Sequence, residues 1–276
     1  MNFKIVSDSS SNLLHFSGVP YATVPLKVIT KEKEYVDNAA LDVAAMMHEL
    51  RTVKGRTGTS CPNISEWKAA MADADAVFAV TITGNLSGAY AAAVQAAVEL
   101  RRENPEKRIC VLNSLSTGPE MQLIIEKLSE LILKGLSFDE IEVQIQAYMK
   151  RTHLIFCLQS LSNLARNGRV NPVVAKLAGV LGIRIVGVAS AEGTLELLHK
   201  PRGGMKALES ILEVMADNGY CGGAVRVAHC ENQAAANSLV EKIKKRFGTT
   251  DISVLPTTAL CSFYAEDGGL MVGYES

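Results

Sequence analysis

Residues 76–102 read AVFAVTITGNLSGAYAAAVQAAVELRR. The first eight residues form a short apolar run typical of a buried strand, and the alanine-rich segment after them has the spacing of a helix. The turn between them, residues 83–88, contains two glycines, which tight turns favour. A strand that passes through a short turn into a helix is the repeating unit of a parallel sheet covered by helices.

The same alternation extends over the whole chain. In the first half we predict strands at 3–7, 21–29, 76–83 and 108–113 and helices at 41–53, 64–74, 86–102, 119–133 and 138–150. In the second half we predict strands at 152–158, 183–189, 194–198, 225–230, 252–255 and 270–274, with helices at 205–217 and 234–247. Residues 190–193 suit a hairpin turn, so the second sheet must contain antiparallel strands. A length of 276 residues fits two α/β domains, residues 1–152 with a mainly parallel sheet and 153–276 with a mixed one.

Composition excludes several classes of protein. A hydrophobic fraction of 48% indicates a folded globular core. The 28 basic and 29 acidic residues nearly cancel, so no net field attracts nucleic acid. The six cysteines are dispersed, without a C-x-x-C pair, which is typical of reduced thiols. We find neither a signal-peptide pattern nor an uncharged apolar span, and therefore expect a cytoplasmic protein without a transmembrane segment.

Four turns rich in serine, threonine or glycine attract attention, at residues 8–11, 56–63, 83–88 and 113–118. Ligands of open α/β sheets bind beyond the carboxyl ends of the strands, where such turns meet. Hydroxyl groups and the free N–H groups of helix N-termini favour an anion there. We therefore predict a shared oxyanion site. The alternative is that Ser60, Asn63, Asn85 or Ser87 only caps the helix that follows.

Common enzyme motifs are missing from the sequence. It has no G-x-G-x-x-G turn after the first strand, no Walker loop and no G-x-S-x-G elbow. The five histidines are not spaced as metal ligands, and no nucleophile has an evident base. We therefore predict no metal and no cofactor.

Seven short motifs, taken in order, resemble the DegV family of bacterial fatty-acid-binding proteins. They are IVSDS (5–9), VPL (24–26), TSCP (59–62), LSGAY (86–90), LSNL (161–164), GRV (168–170) and KPR (200–202). The resemblance implies two α/β domains with a long-chain fatty acid held between them. It places the fatty carboxylate on Thr59 and Ser87, with Ser60 and Gly88 in the same motifs.

The resemblance also implies a protein partner. Some members of the family present their fatty acid to a separate kinase, which makes an acyl phosphate for phospholipid synthesis. The motifs containing Arg169 and Arg202 would then contact that kinase. For Arg169 the alternative is an ordinary solvated loop charge.

Near the C-terminus the sequence departs from the family pattern. The family typically has a histidine before a G-P-G-type turn, and that histidine helps to hold the carboxylate. Residues 262–269 read SFYAEDGG, so Tyr264 takes the place of the histidine and Glu266 and Asp267 enter the turn. A tyrosine can still donate a hydrogen bond, but two carboxylates beside an anion would repel it. This departure leaves open another acyl acid or a less anionic ligand.

Three functions fit these features. The leading hypothesis is a non-catalytic carrier that binds a fatty acid. The first alternative is a phosphate- or carboxylate-handling enzyme that uses the same strand-end turns. The second is a regulatory protein whose partner binding depends on lipid occupancy.

Overall fold

The computed structural model describes residues 2–173 and 182–276. The strands are β1 (Phe3–Asp8), β2 (Tyr21–Val24), β3 (Lys27–Ile29), β4 (Glu34–Val36), β5 (Gly58–Ser60), β6 (Ala76–Thr81), β7 (Arg108–Asn113), β8 (Thr152–Leu158), β9 (Ile185–Ala189), β10 (Leu195–His199), β11 (Val225–His229), β12 (Ile252–Pro256) and β13 (Leu270–Glu275). Helices among the described residues are α1 (Val43–Thr52), α2 (Ile64–Met71), α3 (Ala89–Glu103), α4 (Pro119–Leu133), α5 (Phe138–Met149), α6 (Ser162–Arg166), α7 (Gly204–Asp217), α8 (Gln233–Phe247) and α9 (Ala259–Ala265), and a 3-10 turn spans Ser9–Ser11. No helix in these two ranges is long and apolar enough to cross a membrane.

The N-terminal sheet has the strand order β2-β1-β6-β7, and all its strands are parallel. Every residue of β6 is buried, as expected for a central strand covered on both faces. Trp67 and Phe78 are fully buried in the core beneath the helices. The prediction of a mainly parallel first sheet is confirmed.

The predicted strand over 21–29 is wrong as one element. The chain leaves the parallel sheet after Val24, and β3 pairs instead in a separate antiparallel sheet of order β4-β3-β5, called here the small sheet. Pro25 stands at the break, where its missing N–H could not have continued the ladder. The segment 56–63, predicted as a turn after a strand of the main sheet, contains β5 of the small sheet.

The C-terminal sheet has the order β10-β9-β8-β13-β11-β12. Only β11 and β12 are parallel neighbours, and every other pair is antiparallel, which confirms the predicted mixed sheet. Strands β9 and β10 form the predicted hairpin. Helix α9 was not predicted from the sequence.

Helix α4 joins the two main sheets. It packs on β1 and β6 of the first sheet and on β8 and β13 of the second. Gly273 permits this close approach, because a Cβ atom there would lie 2.5 Å from the backbone nitrogen of Glu120. Helix α9 contacts β3, α1 and α6, and thereby connects the small sheet to the C-terminal half.

Candidate functional site

A cavity of about 280 Å³ lies between the N-terminal sheet, the small sheet and the C-terminal sheet. Most of its wall is aliphatic or aromatic. The lining residues are Leu26, Thr59, Ser60, Cys61, Ile82, Leu86, Ser87, Gly88, Thr117, Leu154, Phe156, Leu158, Leu164, Arg169, Leu195, Leu260, Cys261, Tyr264, Ala265 and Met271. Such a wall suits a ligand with a long apolar part and a few polar atoms.

Several hydroxyl groups contribute polar atoms to this wall, and three of them come from different elements near one another in the site. Thr59 comes from β5, Ser87 from the turn before α3 and Tyr264 from α9. The Thr59 Oγ1 and Tyr264 hydroxyl oxygens are 2.7 Å apart, and either can donate to the other. The structure thus brings together Thr59, Ser60, Ser87, Gly88 and Tyr264, which the sequence placed around one ligand.

Ser87 also takes part in capping helix α3, as the alternative interpretation of this turn predicts. Its Oγ accepts a hydrogen bond from the backbone N–H of Ala89, 3.2 Å away, in the first turn of α3. The hydroxyl proton is not used by that bond and can be donated to a ligand. Helix α2 is capped by Asn63, whose side chain accepts from the N–H of Glu66, so Ser60 is not needed there.

Arg169 lies on the cavity wall. Its Nε donates to the carbonyl oxygen of Leu86 at 3.2 Å and its Nη1 donates to the carbonyl of Asn167. Among the described lining residues it alone carries a formal charge. A half-buried guanidinium with two backbone partners is not a freely solvated loop charge.

Arg202, by contrast, is exposed and does not line the cavity. Residue 202 pairs with Ile183 in an isolated antiparallel bridge. The structure therefore does not bring Arg202 into the group formed by Thr59, Ser87 and Tyr264.

Glu266 and Asp267 interact away from the cavity. The Glu266 carboxylate accepts hydrogen bonds from Ser160 Oγ at 2.9 Å and from the N–H of Asn163 at 3.0 Å. Asp267 Oδ2 lies 2.8 Å from the guanidinium of Arg51. Neither acidic residue is among the described lining residues of the cavity, and the repulsion of an anion stays a prediction.

The expected convergence of all four turns is also wrong. Residues 8–11 are fully buried beside the cavity without lining it. There Asp8 accepts hydrogen bonds from the N–H groups of Ser10 at 3.1 Å and Ile82 at 2.8 Å, and burial raises its pKa to about 6. Of residues 113–118, only Thr117 reaches the cavity.

The apolar wall supplied by the C-terminal sheet was not predicted from the sequence. Leu154, Phe156 and Leu158 alternate along β8 and line the cavity from one face of that strand. The alternation is visible in the sequence, but the same pattern describes any residues that pack on a core. Cys61 and Cys261 were also missed as lining residues, and burial raises the pKa of the Cys261 thiol to about 12.

The part of the chain that the structure describes contains no group of three or more histidine, cysteine, aspartate or glutamate side chains able to hold a metal ion. No histidine is among the described lining residues. His229 makes local contacts at the end of β11, where Nδ1 accepts from the N–H of Asn232 at 3.2 Å and Nε2 lies 3.0 Å from Gln233 Oε1. Among the described residues that line the cavity, Ser87 therefore has no imidazole base beside it.

Comparison with known proteins bears on this site. The family model described as "Uncharacterised protein, DegV family" matches residues 2–276. The chain belongs to the DegV family. A DegV domain-containing protein of Streptococcus pyogenes serotype M1 is 42% identical to it over 279 residues, covering all of both chains.

Two solved DegV structures are also similar to this chain. A DegV family protein from Eubacterium eligens, loaded with heptadecanoic acid, matches with a TM-score of 0.97 and 42% identity over 99% of each chain. The Fatty Acid Kinase (Fak) B3 protein of Streptococcus pneumoniae, loaded with linoleic acid, matches with a TM-score of 0.98 and 38% identity over 100% of this chain and 99% of that one. The family resemblance seen in the motifs is confirmed.

Proposed function

We propose that this DegV protein binds a long-chain fatty acid in the cavity between its sheets. The observation that carries the proposal is an apolar cavity with hydroxyl groups from several elements in its wall. Each buried methylene contributes about 0.8 kcal/mol, so a long acyl tail supplies on the order of 10 kcal/mol before the costs of association. The E. eligens and S. pneumoniae relatives, each loaded with a fatty acid, support the same ligand class.

The carboxylate of the ligand binds at Thr59, Ser60, Ser87, Gly88 and Tyr264. Ser87 donates its free hydroxyl proton. The Thr59–Tyr264 pair has two hydroxyl protons, of which their mutual hydrogen bond uses one, so the second is available to the ligand. Gly88 lets the carboxylate approach the positive end of α3. Together these groups replace the water that a carboxylate loses on burial.

Arg169 adds a positive charge to this end of the cavity. Because Leu86 directly precedes Ser87, the hydrogen bond from Arg169 to the Leu86 carbonyl holds the guanidinium near the head group. An arginine close to a carboxylate favours the charged form of that acid. The ligand is therefore bound as an anion.

We also propose that the protein presents its ligand to a separate fatty acid kinase and does not itself catalyse a reaction. The S. pneumoniae relative is named as a protein of fatty acid kinase, which supports this partner. Arg169 at the cavity and the exposed Arg202 are the proposed contacts. The kinase would then phosphorylate the carboxylate while the acyl chain stays in the cavity.

The proposal also includes the domain boundary and the compartment. Residues 1–152 and 153–276 form the two domains between which the lipid lies. The protein works in the cytoplasm, which agrees with six cysteines that are all free thiols.

Lipid analysis tests the ligand class. Organic extraction of the purified protein followed by mass spectrometry should yield a long-chain fatty acid near one molecule per chain, and delipidated protein should take up oleate or palmitate. An empty protein that takes up neither acid would contradict the proposal.

Substitutions test the head-group site. Ser87→Ala and Thr59→Val should each weaken oleate binding by roughly 1.5 to 3 kcal/mol, the range for a hydrogen bond to a charged group. Ser210→Ala is the matched control, since that hydroxyl only bonds the carbonyl of Lys206 on α7. Unchanged oleate affinity in both site variants would place the carboxylate elsewhere.

Kinase docking has its own test. With a fatty acid kinase and ATP, Arg169→Ala and Arg202→Ala should each slow acyl-phosphate formation at saturating oleate. Arg166→Ala, an exposed arginine on α6, is the control. Equal rates in all three variants and the wild type would remove these two residues from the kinase interface.

A further inference from the structure

Helix α9 receives its N-terminal cap from a distant part of the chain. The local N-cap residue, Thr258, makes no side-chain hydrogen bond to the helix. Instead Asp37, which follows β4, accepts hydrogen bonds from the N–H groups of Ala259 at 2.8 Å and Leu260 at 3.1 Å. Thr258 Oγ1 lies 3.1 Å from Asp37 Oδ2, and it is also within hydrogen-bond distance of Asn12 Oδ1 and the Ser9 carbonyl oxygen. Asp37 is 1% exposed, so water does not compete for these bonds.

Asp37 is itself fixed to the small sheet. Its backbone N–H donates to the carbonyl of Leu26 at 2.9 Å, just before β3. Strand β3 pairs with β5, where Val28 is the register partner of Thr59. The carboxylate of Asp37 therefore keeps a fixed position relative to the hydroxyl of Thr59.

The other end of α9 returns to the same sheet. Tyr264 lies in the last turn of the helix, and its hydroxyl is 2.7 Å from Thr59 Oγ1. The small sheet thus holds α9 at both ends, through Asp37 at the start and Thr59 at the end. Leu260 and Cys261, between these ends, line the cavity.

We infer that Asp37 is a positioning residue for the head-group site, which holds α9 on the small sheet so that Tyr264 and Thr59 meet and bind the ligand carboxylate together. The inference rests on the proposed function, because it concerns the same site. Asp37 acts through Tyr264 and is not among the lining residues of the cavity.

Replacing Asp37 by asparagine changes the hydrogen bonds to α9 but hardly changes the volume of the side chain. Both carboxylate oxygens of Asp37 accept hydrogen bonds from groups of α9 or its N-cap. Asparagine has nearly the same shape but turns one of these acceptors into an N–H₂ donor, which then faces another donor. Asp37→Asn should therefore shift the start of α9 without opening a cavity.

The matched control is Asp42→Asn. Asp42 is also a helix-capping aspartate, and its Oδ1 accepts from the N–H of Ala45 at 2.9 Å at the start of α1. It is exposed and does not line the cavity. Both variants make the same chemical change at the N-terminus of a helix. Only the helix that Asp37 caps contains Tyr264.

The experiment measures binding of oleate and of methyl oleate, which lacks the anionic head group. We expect Asp37→Asn to weaken oleate binding about tenfold, the loss expected when one hydrogen bond to a charged group is misplaced, and to leave methyl oleate affinity nearly unchanged. Asp42→Asn should leave both affinities as in the wild type. Equal weakening for both lipids in Asp37→Asn, or no weakening, would overturn the inference.

A double-mutant cycle with Tyr264→Phe gives the second readout. If Asp37 acts through the tyrosine hydroxyl, Asp37→Asn should cost little further oleate affinity in the Tyr264→Phe background. The fall in melting temperature expected from the lost cap bonds should be the same in both backgrounds. Fully additive affinity losses would show that Asp37 only supports the fold, and would also overturn the inference.

Two further results keep the test decisive. If Asp37→Asn does not fold, Thr258→Val removes the hydroxyl that contacts Asp37, Asn12 and the Ser9 carbonyl, and it should produce a smaller loss that again affects oleate more than methyl oleate. An equal effect of Thr258→Val on both lipids would again overturn the inference. Failure of the wild type to bind oleate would instead refute the proposed function, whatever the variants show.

Discussion

Glu120 should make the stability of this protein fall as the pH rises towards neutrality. This glutamate lies in the first turn of α4, where that helix packs on β13, and it is 5% exposed. Burial raises its pKa from 4.5 to about 7, although the nearby Ser116 hydroxyl and the hydrogen bond from Thr152 act in the opposite direction. Because one pKa unit corresponds to about 1.4 kcal/mol, the shift is worth about 3 kcal/mol.

The direction of this change in stability with pH follows from the protons that the folded and unfolded states bind. Between pH 4.5 and about 7 the folded protein keeps a proton on Glu120 that the unfolded chain has released. The stabilisation is therefore complete below pH 4.5 and is lost as the pH rises through the folded-state pKa. Glu120→Gln keeps the acceptor for the Thr152 hydroxyl, 2.8 Å away, but cannot ionise. Relative to the wild type, this variant should gain about 3 kcal/mol between about pH 4.5 and about pH 8.

Chemical denaturation at steps across this pH range measures the effect. Trp67, the single tryptophan, is fully buried and reports unfolding by its fluorescence. Asp8, whose pKa burial also raises, is present in both proteins and cancels in the difference. The control is Glu140→Gln, since Glu140 is exposed and Ser137 lowers its pKa, so the profile above pH 5 should not change. A difference between wild type and Glu120→Gln that stays constant with pH would refute the reasoning.

Two glycine substitutions give the remaining predictions. A Cβ at residue 187 would lie 2.8 Å from Cε2 of Phe156, which lines the cavity. Gly187→Ala should therefore lower the melting temperature. It should also weaken the binding of long acyl chains more than that of short ones. Equal effects on a series of fatty acids would contradict this. Gly193 has a φ of +74° in the β9–β10 turn and packs on Thr83 and Leu115. Gly193→Ala should therefore destabilise the protein by at least about 1 kcal/mol, measured by chemical denaturation. An unchanged denaturation midpoint would contradict this prediction.

Elements with strong local signals could be predicted from the sequence alone. Strand β7 and helix α4 have the predicted bounds, and α4 begins at Pro119, which suits the first turn of a helix. The parallel and mixed sheets follow from the alternation of apolar runs with helical spacing. Such signals are contained within a few neighbouring residues.

Elements that depend on distant contacts could not be predicted. Strands β3, β4 and β5 have three residues each, too few to show a period. Helix α9 has seven residues and takes its cap from Asp37, more than 200 positions away, so its own sequence carries no start signal.

The candidate site also has parts that could be predicted from the sequence and parts that could not. Thr59 and Ser87 stand in recognisable motifs, and the structure brings both to one cavity. The apolar wall could not be separated from the core, because Phe156 and Met271 look like any buried strand residue until the empty space beside them is seen. The partners of Glu266 and Asp267 also appear only in three dimensions, so the sequence alone could not show that both carboxylates are already paired within the protein.

A crystal structure of the oleate complex tests the central claim most directly. We expect the two carboxylate oxygens to accept hydrogen bonds from Ser87 Oγ and from the Thr59–Tyr264 pair. The acyl chain should run along Leu154, Phe156 and Leu158. A carboxylate bound outside this hydroxyl cluster, or an acyl chain outside the cavity, would contradict the account.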